Sequence, residues 1–296
     1  MDLPSFDKIL IAFDGSQNSK QACELAAILA KGFKAKVTIA HVLPPIPALE
    51  TSRRKEYEAS LENKANIEAF KIESQLQGEG IEAKTRILRA KGSITDSLID
   101  FSKGGKFDLI VAGTRGLGAF RRMMLGSVST NLLNHASSPV LVVRNRIYKI
   151  QMQLERVLVA TDGSKDADHA LECALSITKA TGASITIVNV VYLPPLAYGT
   201  WVPQLDRIFE DLKDEGTKIV SSASKLAKEK GISDVATKII ENNQSPVWAI
   251  TKFADQGKFD LVVVGTRGLG GFEKLFLGSV ANGVVHYAKC SVLVTR

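Results

Sequence analysis

The chain has 296 residues, 45% hydrophobic and 23% charged, which is enough for two domains that each bury a core. No apolar run nears the roughly 20 residues that span a bilayer, and the opening MDLPSFDK lacks the basic and apolar regions of a signal peptide, so no membrane partner is expected. The net charge is +7, but no Lys/Arg run exceeds three and no aromatic residues alternate with basic ones, so nucleic acid is not an expected partner either.

In chain order, residues 8–13 (KILIAF) read as a buried strand, and Asp14-Gly15-Ser16 as a turn in which Ser16 or Asp14 caps the next helix. Ala22, Leu25, Ala26 and Leu29 recur at helical spacing. A second strand follows at 37–42, prolines break the chain at 44, 45 and 47, and a charged amphipathic helix runs over 49–76. Residues 81–88 alternate as a strand does, 92–102 are helical, and 107–112 form a fourth strand. A short helix at 128–136 and a strand at 139–144 close the first half.

The same order then returns. Strands are expected at 156–161, 185–191, 235–240, 261–264 and 291–295. Helices are expected from Ser164 to about residue 180, up to Lys230, from Ser245 and from Val280. Asp14 maps to Asp162 and Gly113 to Gly265, so the chain is a tandem duplication, with domains at 1–146 and 155–296 and a linker at 147–154. Alternating strands and helices mean α/β units, each with a parallel sheet covered by helices on both faces. Ligands on such sheets sit beyond the carboxyl ends of the strands, at the switch point between inner strands.

Three cysteines, Cys23, Cys173 and Cys290, are too scattered for a disulfide framework. Cys23 and Cys173 lie in apolar helical patterns and read as reduced, packed thiols, which implies a cytoplasmic setting. Six of the seven net charges fall in residues 1–148 (21 basic, 15 acidic).

One stretch organises both halves. Residues 105–128 read GKFDLIVAGTRGLGAFRRMMLGSV, and residues 257–280 read GKFDLVVVGTRGLGGFEKLFLGSV. Each is a β-branched run, then Gly-Thr-Arg-Gly-x-Gly, then Gly-Ser at the start of a helix. Glycine lets backbone N–H groups approach an anion, and a helix N-terminus adds its dipole. The pattern therefore points to phosphate. It is neither G-x-x-x-x-G-K-[ST] nor G-x-G-x-x-G, since position six of the latter is Arg121 or Glu273.

G-x2-G-x9-G-S after a fourth strand, with D-G-S after the first, resembles the ATP-binding class of the universal stress protein family, over nearly the whole chain and twice. The resemblance implies two five-stranded parallel sheets of order 3-2-1-4-5. It implies that Asp14 with Val42, and Asp162 with Val190, hold the nucleoside, with Ala12 and Ala160 on the same wall. Gly113 and Gly265 would lie against the ribose. Gly116, Gly126, Ser127 and Val128, and then Gly268, Gly278, Ser279 and Val280, would hold the phosphates. The ligand would be ATP, or ADP or AMP, with Mg²⁺ through the phosphates. In related proteins the last strand pairs across a dimer, which here could join the two halves within one chain; association of two chains is the other option.

The residues leave several roles open. Asp14 and Asp162 either cap helices or face a ribose hydroxyl or adenine amine. Val42 and Val190 are ordinary core residues on the plainer reading. Arg115 and Arg267 either pair with a phosphate or point to solvent. His41, His135, His169 and His286 have no metal-ligand spacing and read as structural. Tyr192, Tyr198 and Trp201 either shield a ligand or pack locally. No side-chain set forms a phosphoryl-transfer team, so the nucleotide is expected to be an effector that controls an unnamed protein partner. The alternatives are a weak ATPase or phosphotransferase and a nucleotide-free scaffold. Arg121-Arg122 against Glu273-Lys274 leads us to expect tighter, more salt-dependent triphosphate binding in the first half.

Overall fold

A computed structural model describes residues 2–45, 51–90, 92–114, 125–144, 154–192, 205–242, 244–268 and 277–296, the side chains of 51, 52, 205, 206 and 242 excepted. The chain divides into two compact units, 5–152 and 153–296, the latter joined by residues 1–4.

In the first unit the elements are β1 (Lys8–Ala12), α1 (Gln17–Phe33), β2 (Lys36–Leu43), α2 (Thr51–Gly78), β3 (Ala83–Arg89), α3 (Ile94–Gly105), β4 (Leu109–Gly113), α4 (Ser127–His135) and β5 (Val140–Val143). All pairings are parallel: β1 lies between β2 and β4, β3 flanks β2, and β5 flanks β4. The order 3-2-1-4-5 follows, and it matches the fold the sequence implies. Its switch point lies between β1 and β4, where Ile9 and Ala12 are in register with Leu109 and Ala112. Helix α1 packs on α2, and α3 on α4, covering the sheet.

The inner strands are apolar on both faces because both are covered. Ile9, Leu10, Ile11, Leu109, Ile110 and Val111 are fully buried. Each such side chain contributes about 1.5–3 kcal/mol by leaving water.

The second unit repeats the plan with β6 (Arg156–Ala160), α5 (Lys165–Thr181), β7 (Ser184–Tyr192), α6 (Leu205–Glu229), β8 (Val235–Asn242), α7 (Pro246–Gln256), β9 (Leu261–Gly265), α8 (Ser279–Tyr287) and β10 (Ser291–Thr295). Strand β6 lies between β7 and β9, with β8 beyond β7 and β10 beyond β9, all parallel. Val157, Leu158 and Val159 meet Leu261, Val262 and Val263, all fully buried. Arg115, Gly116, Arg121, Arg122, Tyr198, Trp201, Glu273, Lys274 and the linker core at 147–153 lie outside the described residues.

Candidate functional site

In the second unit β6 stops at Ala160 and the chain turns through Asp162-Gly163-Ser164. Gly163 has φ +78°, a left-handed conformation that costs other residues energy. Ser164 N donates to Asp162 Oδ1 (3.0 Å), and Ser164 Oγ accepts from Ala167 N (3.3 Å). The cap of α5 is therefore Ser164, while Asp162 holds the turn. Its other oxygen stands against Gly268 so closely that any Cβ there would collide with it. The first unit repeats the device: Gly15 has φ +82°, Ser16 N donates to Asp14 Oδ1 (3.0 Å), and Ser16 Oγ accepts from Ser19 N (3.2 Å).

Strand β9 stops at Gly265. A Cβ on it would lie 2.6 Å from the main chain of Asp166, so the start of α5 crosses directly over the strand end. The chain then folds back, with Thr266 N donating to Thr295 O (2.9 Å) and Gly278 N donating to Thr266 O (2.8 Å). Gly278 caps α8 with no side-chain hydrogen bond to the cap. The first rung of the helix is Asn282 N to Gly278 O (2.9 Å). The amides of Ser279, Val280 and Ala281 thus fall outside the helical ladder, at the positive end of its dipole.

These pieces surround one cavity of about 380 Å³, within the range of roughly 300–1,000 Å³ common for small-molecule sites. Ala160 lines it from the end of β6, Asp162 from the turn that follows, and Val190 from β7. Gly265, Arg267 and Gly268 line it from the end of β9, and Gly278, Ser279 and Val280 from the start of α8. All nine second-half positions singled out in the sequence therefore meet at one hollow. Val190 is half-buried there, not sealed in the core. Arg267 is neither fully solvated nor free, because its Nε lies 3.5 Å from Asp166 Oδ2.

The wall also contains residues that the sequence reading passed over. Asn189 lines it from β7 and donates through Nδ2 to Thr161 O (2.8 Å). A polar residue inside the apolar run ITIVNVVY was an available signal. Pro246 and Ile250 line it from α7, brought there by a crossover whose contact no local pattern announces.

In the first unit Ala12 and Asp14 are half-buried at the end of β1, while Val42 and Gly113 are buried. A Cβ on Gly113 would lie 2.7 Å from the main chain of Asn18. Gly126 N donates to Thr114 O (2.7 Å) and Gly126 caps α4. The first rung is Thr130 N to Gly126 O (2.9 Å), leaving the amides of Ser127, Val128 and Ser129 outside the ladder. The Ser129 hydroxyl donates to Gly113 O (2.6 Å). At the place of Asn189 stands His41, its Nδ1 buried without a hydrogen-bond partner among the described residues. Burial pushes its pKa below the ordinary histidine value, and the Asp14 carboxylate opposes that shift.

Among the described residues no group of three or more His, Cys, Asp or Glu side chains is placed to hold a metal ion. No described helix is long and apolar enough to cross a membrane. The three cysteines are buried, and burial pushes the thiols of Cys23 and Cys173 up to about 12.

The profile of the universal stress protein family matches residues 5–144 and again 153–296. A universal stress protein of Mycolicibacterium smegmatis is 30% identical over 301 residues, covering 97% of this chain and 96% of that protein. One from Methanocaldococcus jannaschii is 34% identical over 161 residues, covering 52% of this chain and 87% of its own length. The crystal structure of a universal stress protein from Archaeoglobus fulgidus superposes with a TM-score of 0.73 at 22% identity, covering 98% of both chains, which speaks for the fold. With two matched segments, and a relative aligned from end to end, the chain belongs to the universal stress protein family and contains its domain twice.

Proposed function

We propose that each half binds an adenine nucleotide, ATP or its di- or monophosphate, and that occupancy controls conformation or the choice of a protein partner. The observation that carries this reading is the second cavity. Its wall combines a carboxylate at a strand end (Asp162), bare glycine backbone (Gly268) and a helix start whose first amides are outside the ladder. Asp162 would accept from a nucleoside hydroxyl or amine. The amides of Ser279 and Val280, with Arg267, would donate to phosphate oxygens. A bound Mg²⁺ would be held through those phosphates and would neutralise part of their charge. The first half has the same turn, the same strand ends and the same glycine-capped helix, so the reading extends to Asp14, Gly113, Gly126, Ser127 and Val128.

Several weak contacts suffice for this role. A handful of dipole contacts, each worth roughly 0.3–1 kcal/mol, together with nucleoside contacts reach the region of −8 kcal/mol, or about micromolar affinity. Equilibrium dialysis with ATP is the direct test. The wild-type chain should take up two equivalents, and the double variant Gly116→Val, Gly268→Val none. Full uptake by the double variant would reject the site. Sedimentation of the loaded and empty chain tests the further expectation that occupancy alters association.

A further inference from the structure

We propose that Asp166 sets the charge class of ligand in the second cavity, turning its preference away from a triphosphate and toward a less charged adenine compound. This rests on the nucleotide-binding reading of that cavity. Three contacts tie Asp166 to residues of the wall. Its main chain lies on Gly265, where a Cβ would come within 2.6 Å. Its Oδ2 stands 3.0 Å from the Thr266 hydroxyl and 3.5 Å from Arg267 Nε. Thr266 and Arg267 both line the cavity, so a negative charge sits directly behind the one arginine that faces it among the described residues.

The side chains of Arg267 and Asp166 are only 33% and 29% exposed, so water screens the pair incompletely. An arginine already paired in this way offers little net attraction to an incoming phosphate chain. Arg296 is the other cation nearby. Burial lowers its pKa, the neighbouring Arg267 adds to the shift and Asp166 opposes it. Among the described residues, Arg267, Arg296 and Asp166 therefore interact as one group.

The first half holds the control. Gly113 makes the same close approach to the main chain of Asn18 that Gly265 makes to Asp166. Thr114 and Arg144 stand where Thr266 and Arg296 stand, and the position of Asp166 is taken by an uncharged carboxamide. Two residues on, Lys20 occupies the place of Asp168. The Asp168 carboxyl is pushed up by burial and then by Glu172 and Asp162, as expected of crowded acids. The two sites thus share their backbone plan and differ in the charge on the helix that opens beside it.

The test uses the full chain, with adenosine, AMP and ATP as probes. The Ile250 methyl signal reports the second cavity, whose counterpart residue in the first half is Leu98. Asp166→Asn keeps the shape and an acceptor for Thr266. It should strengthen ATP binding at the second cavity about tenfold, with a steeper salt dependence, and change adenosine binding less than twofold. Asn18→Asp, followed through the Val42 methyls, should weaken ATP in the first half by a similar factor. An unchanged ratio of ATP to adenosine affinity in both variants would overturn this proposal alone. So would weaker ATP binding in Asp166→Asn, which would mean that the acid aims Arg267 at phosphate. A wild-type second cavity that takes neither adenosine nor ATP would overturn the nucleotide reading and this proposal with it.

Discussion

Gly268→Ala isolates the role of Asp162. Gly268 has a negative φ, so alanine is not strained at that position, but its Cβ would strike Asp162 Oδ2. The struck atom is the end of a movable side chain, so the carboxylate swings away and the fold remains. What is lost is one charge-assisted hydrogen bond to the nucleoside, worth about 2 kcal/mol, or roughly a thirtyfold rise in Kd at the second cavity. Asp162→Ala should cost the same bond. The double variant should then be no weaker than Asp162→Ala alone, because both changes remove one contact. Adenosine titrations followed at Ile250 measure all four corners of this cycle. Losses that simply add would refute the idea that Gly268 is bare in order to leave room for the Asp162 carboxylate. Unchanged affinity in Gly268→Ala would remove Asp162 from the site.

Three further outcomes follow from the geometry. Ser164→Ala removes the acceptor for Ala167 N and should cost about 1 kcal/mol, seen as a lower urea midpoint with an unchanged slope. His41 is disfavoured as a cation in the folded chain, so the unfolded chain binds more protons below the ordinary value of 6.5. Stability should therefore fall as pH drops from 6.5 toward the lowered folded value, and His41→Asn, the residue type found at 189, should flatten that fall in urea titrations at pH 7 and pH 5. Cys23 and Cys173, with thiols raised to about 12 by burial, should resist a thiol reagent at pH 8 in the native chain and react on unfolding; rapid native labelling would contradict their burial.

The fold was legible because local signals and global plan agree. The inner strands are near-continuous apolar runs, as strands covered on both faces must be. Asp-Gly-Ser after the first strand is one physical device, a left-handed glycine between an acid that pins the turn and a serine that caps the helix. What the sequence hid arrives by crossover. Pro246 and Ile250 reach the cavity only because α7 is carried there through the sheet order. Asp166 was equally hidden, since an acid in the first turn of a helix usually means no more than a favourable dipole contact.

Gly265 changes how much weight the glycine spacing bears. The family resemblance places a ribose against it, yet the absent Cβ faces the main chain of Asp166, and the matching Gly113 faces Asn18. A side chain at either position would push the following helix off the strand end whether or not a ligand is bound. These two glycines are therefore required by packing first, and their presence says little about nucleotide. Gly268 is different, because it borders a movable carboxylate on the cavity wall and not main chain. Gly278 caps α8 with no side chain over its amides, yet a Cβ there would lie 2.9 Å from Thr266 O, so packing requires this glycine as well. The case for an anionic ligand accordingly rests on the bare amides at the start of α8 and not on the glycine before them. Covering those amides in Gly278→Ser should lower ATP affinity more than adenosine affinity, and an unchanged ratio of the two would refute it.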